Sequence, residues 1–198
     1  MLHYTGISYV VPEKWEEVQD AMNIMTYTGV LMDPLAPNPE QIRLEDIAHA
    51  LSMISRANGH FPEIHTVAQH CLECADEAKA RNLPRDIQLF CLLHDGAEAY
   101  LGDFISPVKE RMPAYKEAER KLLTMIYVKF AGRVPSAEEK KLVKEIDKTL
   151  LYFEFLHYMK TGCGEPGEGL RSSPVFAEMP RQEVESRYLA VYRTLTME

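Results

Sequence analysis

The sequence predicts an all-α fold, and three observations carry that reading. Apolar residues recur at helical spacing in segment after segment, the stretches 66–69 and 136–139 have the form of capping boxes, and no stretch has the pattern of a parallel strand. At 198 residues, 46% of them hydrophobic, the chain can bury one core but is short for two independent ones. We therefore expect one helical domain over residues 41–198, with residues 1–40 as an N-terminal extension packed on it.

Residues 12–24 read as a short helix around Trp15 and Val18, and residues 27–39, punctuated by Gly29, Pro34, Pro37 and Pro39, read as turns. Ile47, Leu51 and Ile54 predict a helix over 44–57 that stops at Asn58-Gly59, where a left-handed residue can close it. In Thr66-Val67-Ala68-Gln69 the Thr hydroxyl can accept the amide of residue 69 while the Gln side chain reaches back. A helix should begin there and run along Val67, Cys71, Cys74 and Ala78 to Asn82-Leu83-Pro84. Ile87, Phe90, Leu93 and Ala97 predict the next over 86–99, ending near Gly102. A shorter helix precedes Pro113, residues 114–130 form another around Leu122, Leu123, Ile126 and Tyr127, and Ser136 opens a long one through about Lys160. The Gly/Pro-rich stretch 161–181 reads as a mobile loop, and Val184, Tyr188, Val191, Tyr192 and Leu195 as an amphipathic closing helix.

Charge and cysteine usage narrow the partners. Thirty acidic residues against twenty-two basic ones leave a net charge of −8, which repels a phosphate polymer and argues against nucleic acid. A small phosphorylated ligand is still compatible, because a bound cation and one or two arginines reverse the field locally. The start lacks the basic and apolar blocks of a signal peptide, and no apolar run has bilayer length, so a cytoplasmic protein without membrane contact is expected. Four cysteines are too few for a disulfide framework in a chain of this size; they read as reduced thiols, with Cys71 and Cys74 packing on the apolar stripe of their helix.

The chemistry lies in ligand-type side chains placed where packing alone would not choose them. His70 flanks the stripe of the capped helix, His94 and Asp95 follow Leu92-Leu93 directly, and Asp147 stands between Ile146 and Leu150. A carboxylate desolvated in such company costs several kcal/mol, roughly, unless paired or bound to metal. His70, His94, Asp95 and Asp147 form a suitable nitrogen and oxygen shell for a divalent cation, with positions left for water. Glu98 follows His94 by four residues and Asp95 by three, so it emerges one turn along the same face, within reach of such a water.

The order His70, His94-Asp95, Asp147 resembles the H…HD…D signature of HD-domain metal-dependent phosphohydrolases. The stretches 67–70, 94–103, 106–109 and 142–147 are similar to those of bacterial and phage HD-domain 5'-deoxynucleotidases, as is the segment from Ile47 through Arg56, Gly59 and His60. The likeness covers residues 42–155 and leaves the first 25 residues and the insertion after Thr161 unexplained.

It implies an HD-domain helical bundle with one divalent cation between helices, whether manganese, cobalt, zinc, iron, nickel or magnesium. It also implies hydrolysis of a small nucleotide, foremost a 5'-deoxyribonucleoside monophosphate, by an activated water. Glu98 and Asp103 would then be catalytic, Arg56 would meet phosphate through its planar fork, and His60 and Lys109 would line the nucleotide pocket. A homodimer is implied by the same resemblance. Two other readings use the same residues: a deoxynucleoside triphosphate triphosphohydrolase or pyrophosphohydrolase, and a nucleotide-binding HD module without turnover. His49 and His65 read as structural.

Overall fold

The structure is a computed structural model that describes residues 23–197 and, upstream of them, the backbone of Leu2–Tyr4 and Ile7–Tyr9. It is predominantly α-helical. Strands β1 (Leu2–Tyr4) and β2 (Ile7–Tyr9) pair antiparallel with Leu2 opposite Tyr9, and β3 (Ile24–Met25) and β4 (Leu31–Met32) form a second small hairpin. Most of the helix read over 12–24 lies outside the described residues; its last position, Ile24, belongs to β3. The hairpin is tied to the helices by Asp46, which is 2% exposed and accepts from Thr28 N at 2.7 Å and Thr28 Oγ1 at 2.9 Å.

The helices are α1 (Leu44–Met53), α2 (Val67–Ala80), α3 (Arg85–Leu93), α4 (Glu98–Leu101), α5 (Ser106–Lys109), α6 (Pro113–Ala131), α7 (Ala137–Met159) and α8 (Arg181–Thr196). Both capping boxes form: Thr66 accepts from Gln69 N at 3.2 Å and Ser136 from Glu139 N at 3.2 Å, and each N3 side chain returns to its cap. Helix α2 sits at the centre. It packs against α1, α3, α7 and α8, and it buries polar Gln69, His70 and Glu77 as well as its apolar stripe, as a helix packed against four others does. The shared core includes Leu51, Phe90, Leu93, Leu122, Ile126, Leu150 and Tyr188. Tyr188 locks α8 onto α3 by donating to Leu92 O at 2.7 Å.

Two helices end before the expected point, each because another hydrogen bond wins. The first stops at Met53, not Ala57. Ile54 O accepts from Val67 N at 3.0 Å and Arg56 N donates to His65 O at 2.8 Å, so residues 54 and 55 run extended beside the approach to α2. A 3-10 turn over Arg56–Gly59 follows, with Ala57 and Asn58 left-handed at φ 51° and 52°. The second is broken between Leu93 and Glu98 by a run of three-residue turns, in which Gly96 N bonds Leu93 O and Glu98 N bonds Asp95 O, both at 2.9 Å. Gly96 gives close clearance there: a Cβ would lie 3.0 Å from Leu93 O and 3.3 Å from Ile126, so the neighbours would have to shift to admit one.

Of the stretch 161–181, residues 161–180 have no helix or strand, yet they are anchored at Glu77. That fully buried carboxylate accepts from Arg171 N, from Ser172 N at 2.8 Å, from Ser172 Oγ at 2.6 Å and from Arg81 Nε at 2.8 Å. Burial pushes its pKa up, but these donors outweigh burial and hold it below the ordinary range. Glu77→Ala should therefore cost about 3 kcal/mol in denaturant unfolding at pH 7, since several donors lose a charged partner. The stabilisation is complete above about pH 4.3 and fades as pH falls through the lower folded value, so variant and wild type should converge in acid. Amide exchange at Arg171 and Ser172 reports the anchor directly.

Candidate metal centre

Four segments meet at one place. His70 comes from α2, His94 and Asp95 from the turn after α3, Asp147 from α7, and Arg56 from the 3-10 turn. His70 Nε2 lies 3.2 Å from Asp147 Oδ1 and 4.0 Å from Asp95 Oδ2; His94 Nε2 lies 3.2 Å from Asp95 Oδ2 and 3.8 Å from Asp147 Oδ1. The two imidazole rings are 5.2 Å apart, tilted by 55°. Two nitrogens thus face the same two carboxylate oxygens across a gap about one small cation wide: donors at bond lengths of about 2.1 Å stand about 3.4 Å apart in a tetrahedron.

The far side of each ring is tied. His94 Nδ1 is 2.7 Å from Cys91 O, an N–H donor to a carbonyl, which leaves Nε2 to face the carboxylates; buried Nε2 has no hydrogen-bond partner among the described residues. His70 Nδ1 is 2.5 Å from Glu154 Oε1. This is the carboxylate–imidazole arrangement that orients metal-binding histidines. The chemistry of the donor set and the orphaned nitrogen fit a divalent cation.

Glu154 was not singled out in the sequence. It is fully buried on α7, seven residues and two turns from Asp147, so the two carboxylates share a face. Besides His70, it accepts from Arg56 Nε at 2.9 Å and lies 3.4 Å from His65 Nε2. His65, read as structural, is itself buried, with Glu73 Oε2 at 3.3 Å and Tyr158 OH at 3.3 Å. The extended residues before α2 explain the meeting: Arg56 and His65 are joined through their backbones, and both side chains reach Glu154.

Charge in this cluster is strongly perturbed. Burial works against every ionised group, but Arg56 and His70 hold Glu154 well below the usual carboxylate range, and His70 and His94 do the same for Asp147. Reciprocally, burial disfavours the imidazolium of His94, yet Asp95 and its neighbours raise its pKa well above normal. Glu98 moves the other way. It is 4% exposed, and burial with Asp95 and Asp103 nearby pushes its carboxyl well above the ordinary value.

Other expected residues are distributed around this centre. Arg56 places Nη1 3.7 Å from Asp95 Oδ2 while its Nε donates to Glu154. Asp103 follows left-handed Gly102; burial, offset by Arg56, raises its pKa. His60 is exposed at the end of the 3-10 turn and enters none of the ion pairs that join the cluster. Lys109 points inward, to Glu98 Oε1 at 2.9 Å and Glu119 Oε1 at 2.7 Å. Cys71 and Cys74 are buried as expected and also abut the site, Cys74 Sγ lying 3.5 Å from His70 Nε2. Burial raises both thiol pKa values, so each stays a neutral neighbour.

The described residues thus contain buried His, Cys and Glu groups that could hold a metal ion. They contain no helix long and apolar enough to cross a membrane. Two curated proteins are similar in sequence. The uncharacterized protein YfdR of Escherichia coli K12 is 36% identical over 93 residues, 47% of this chain and 49% of YfdR. An uncharacterized protein of Rhodobacter capsulatus is 35% identical over 127 residues, 61% of this chain and 64% of that protein. The chain therefore spans about half of the first relative's length and less than two thirds of the second's. No family model matches the chain.

Glu154→Ala should cost about 3–5 kcal/mol in denaturant unfolding at pH 7, because Arg56, His65 and His70 lose their shared partner. The contribution is present above the unfolded value near pH 4.3 and is lost as pH falls through the depressed folded one, so the gap to wild type should shrink toward pH 3.

Proposed function

We propose that the chain is a metal-dependent HD-domain hydrolase of phosphoester bonds in small nucleotides, acting on 5'-deoxyribonucleoside monophosphates. The observation that carries the reading is the meeting of His70, His94, Asp95 and Asp147 around one gap, with Arg56 Nη1 beside Asp95 and the Glu98 carboxyl close enough to feel the Asp95 charge. His70 and His94 would bind the cation through Nε2, Asp95 and Asp147 through one oxygen each. When bound, a divalent cation supplies a Lewis acid that polarises a phosphoryl oxygen and makes hydroxide available near neutral pH.

The chain's own groups do the rest. Glu154 and the Cys91 carbonyl keep both imidazoles in the tautomer that presents Nε2. Glu98, with its raised pKa, orients the attacking water and accepts its proton, a task for which a carboxyl closer to neutrality is suited. Arg56, anchored through Nε, has guanidinium N–H groups for the equatorial oxygens as charge shifts toward the leaving ester oxygen. Asp103, close enough to Arg56 and Asp95 to feel both charges, assists in placing water or substrate.

The test is a turnover screen of deoxynucleoside mono-, di- and triphosphates after chelation, with manganese, cobalt, zinc, iron, nickel or magnesium restored separately. Orthophosphate from monophosphates is the expected product. Pyrophosphate or tripolyphosphate from triphosphates would move the cleavage point, and binding without any product would leave a nucleotide-binding module. Glu98→Gln should lower turnover about 10²–10⁴-fold with cation stoichiometry unchanged, whereas His94→Ala and Asp147→Asn should lose the cation in equilibrium dialysis.

Neighbouring carboxylates raise the pKa of His70 and His94 against burial, so a cation that binds through their Nε2 atoms competes with protons. Affinity should rise with pH. Calorimetry in two buffers of different ionisation enthalpy should detect the released protons.

A further inference from the structure

The family resemblance implies that Lys109 lines the nucleotide pocket; among the described residues its ammonium meets acidic and aromatic side chains. Its ammonium donates to Glu98 Oε1 at 2.9 Å and to Glu119 Oε1 at 2.7 Å, and it sits 5.5 Å from the centre of the Tyr115 ring. An ammonium has three donors. Two are committed to carboxylates, and the flank of the charge is covered by an aromatic face. The local fold builds this arrangement: α5 ends on Lys109, whose N bonds Ile105 O at 3.1 Å, while α6 carries Tyr115 and Glu119 four residues apart on one face. The Lys109 side chain is 21% exposed and that of Glu119 23%, so the pair is sheltered.

The effect on Glu98 is specific. One of its oxygens, Oε1, is taken by Lys109; the other, Oε2, is buried without a hydrogen-bond partner among the described residues. An unanchored carboxylate samples several orientations about its terminal torsions, whereas one held at a single oxygen presents the other in one place. One oxygen fixed and one bare suits a proton acceptor.

We propose that Lys109 and Glu119 are positioning residues that act through Glu98: Glu119 orients the ammonium, and the ammonium fixes Oε1 so that Oε2 meets the attacking water. The proposal rests on Glu98 being the water-orienting carboxylate of a hydrolase. Neither residue touches substrate. Lys109 is therefore separated in role from Arg56, which the proposed function assigns to phosphate.

A double-mutant cycle on hydrolysis of deoxynucleoside 5'-monophosphates with manganese decides it. Lys109→Met should lower kcat about 10- to 100-fold, short of a whole acid–base contribution, with KM unchanged. Glu119→Gln should act in the same direction by less, and Lys109→Arg should recover most of the loss. In a Glu98→Gln background Lys109→Met should change kcat no further, because the group it acts through is gone.

A rise in KM at unchanged kcat, or losses that multiply with those of Glu98→Gln, overturns the positioning role while the hydrolase reading stands. Wild type without turnover under any cation overturns that reading instead, and the positioning role with it. Should Lys109→Met fail to fold, Glu119→Gln in wild-type and Glu98→Gln backgrounds makes the same comparison.

Discussion

The cluster depends on one buried carboxylate. Glu154 has no exposed surface, and an ionised carboxylate in that position is tolerated only because cationic or proton-donating groups surround it. Arg56, His70 and His65 do so, and each comes from a different place: the 3-10 turn, the first turns of α2, and the extended residue before its cap. Satisfying this charge brings three segments together before any ligand is considered. The same contacts set the His70 ring, so the constraint that folds the region also aims a nitrogen at Asp147.

Seen this way, the centre is two linked charge balances. On the inner side, Glu154 is matched by Arg56, His65 and His70. On the outer side, Asp95 and Asp147 face the imidazole nitrogens with Arg56 at one edge. Arg56 belongs to both, since Nε serves Glu154 and Nη1 approaches Asp95. The unfavourable remainder is negative. Glu98 is driven toward its neutral form by Asp95 and Asp103 after burial, which is the local field that a positive ion relieves.

Much of the helical order was legible in the residues, and so was the convergence of His70, His94, Asp95 and Asp147. Capping boxes at Thr66 and Ser136 are local chemistry, so short-range reading finds them. The quartet was visible because polar groups interrupt apolar helices. Glu154 was missed although it sits among Leu150, Phe153 and Phe155, and its spacing of seven from Asp147 was the available signal. The break after Met53 was not readable locally, since His65 and Val67 supply the partners of residues 54–56, and the break after Leu93 is a run of three-residue turns that apolar spacing does not reveal. The inward turn of Lys109 likewise depends on Glu119, a partner on another helix that local patterning does not point to.

Helix α7 carries both Asp147 and Glu154 on one uninterrupted stretch of backbone. Inserting or deleting a single residue between them would swing one carboxylate about 100° around the axis relative to the other, so that His70 could keep only one of its two acidic neighbours. Length variation in related chains should accordingly concentrate after Met159, in the irregular stretch before α8, and be purged from the seven-residue interval that acts as a ruler for the imidazole.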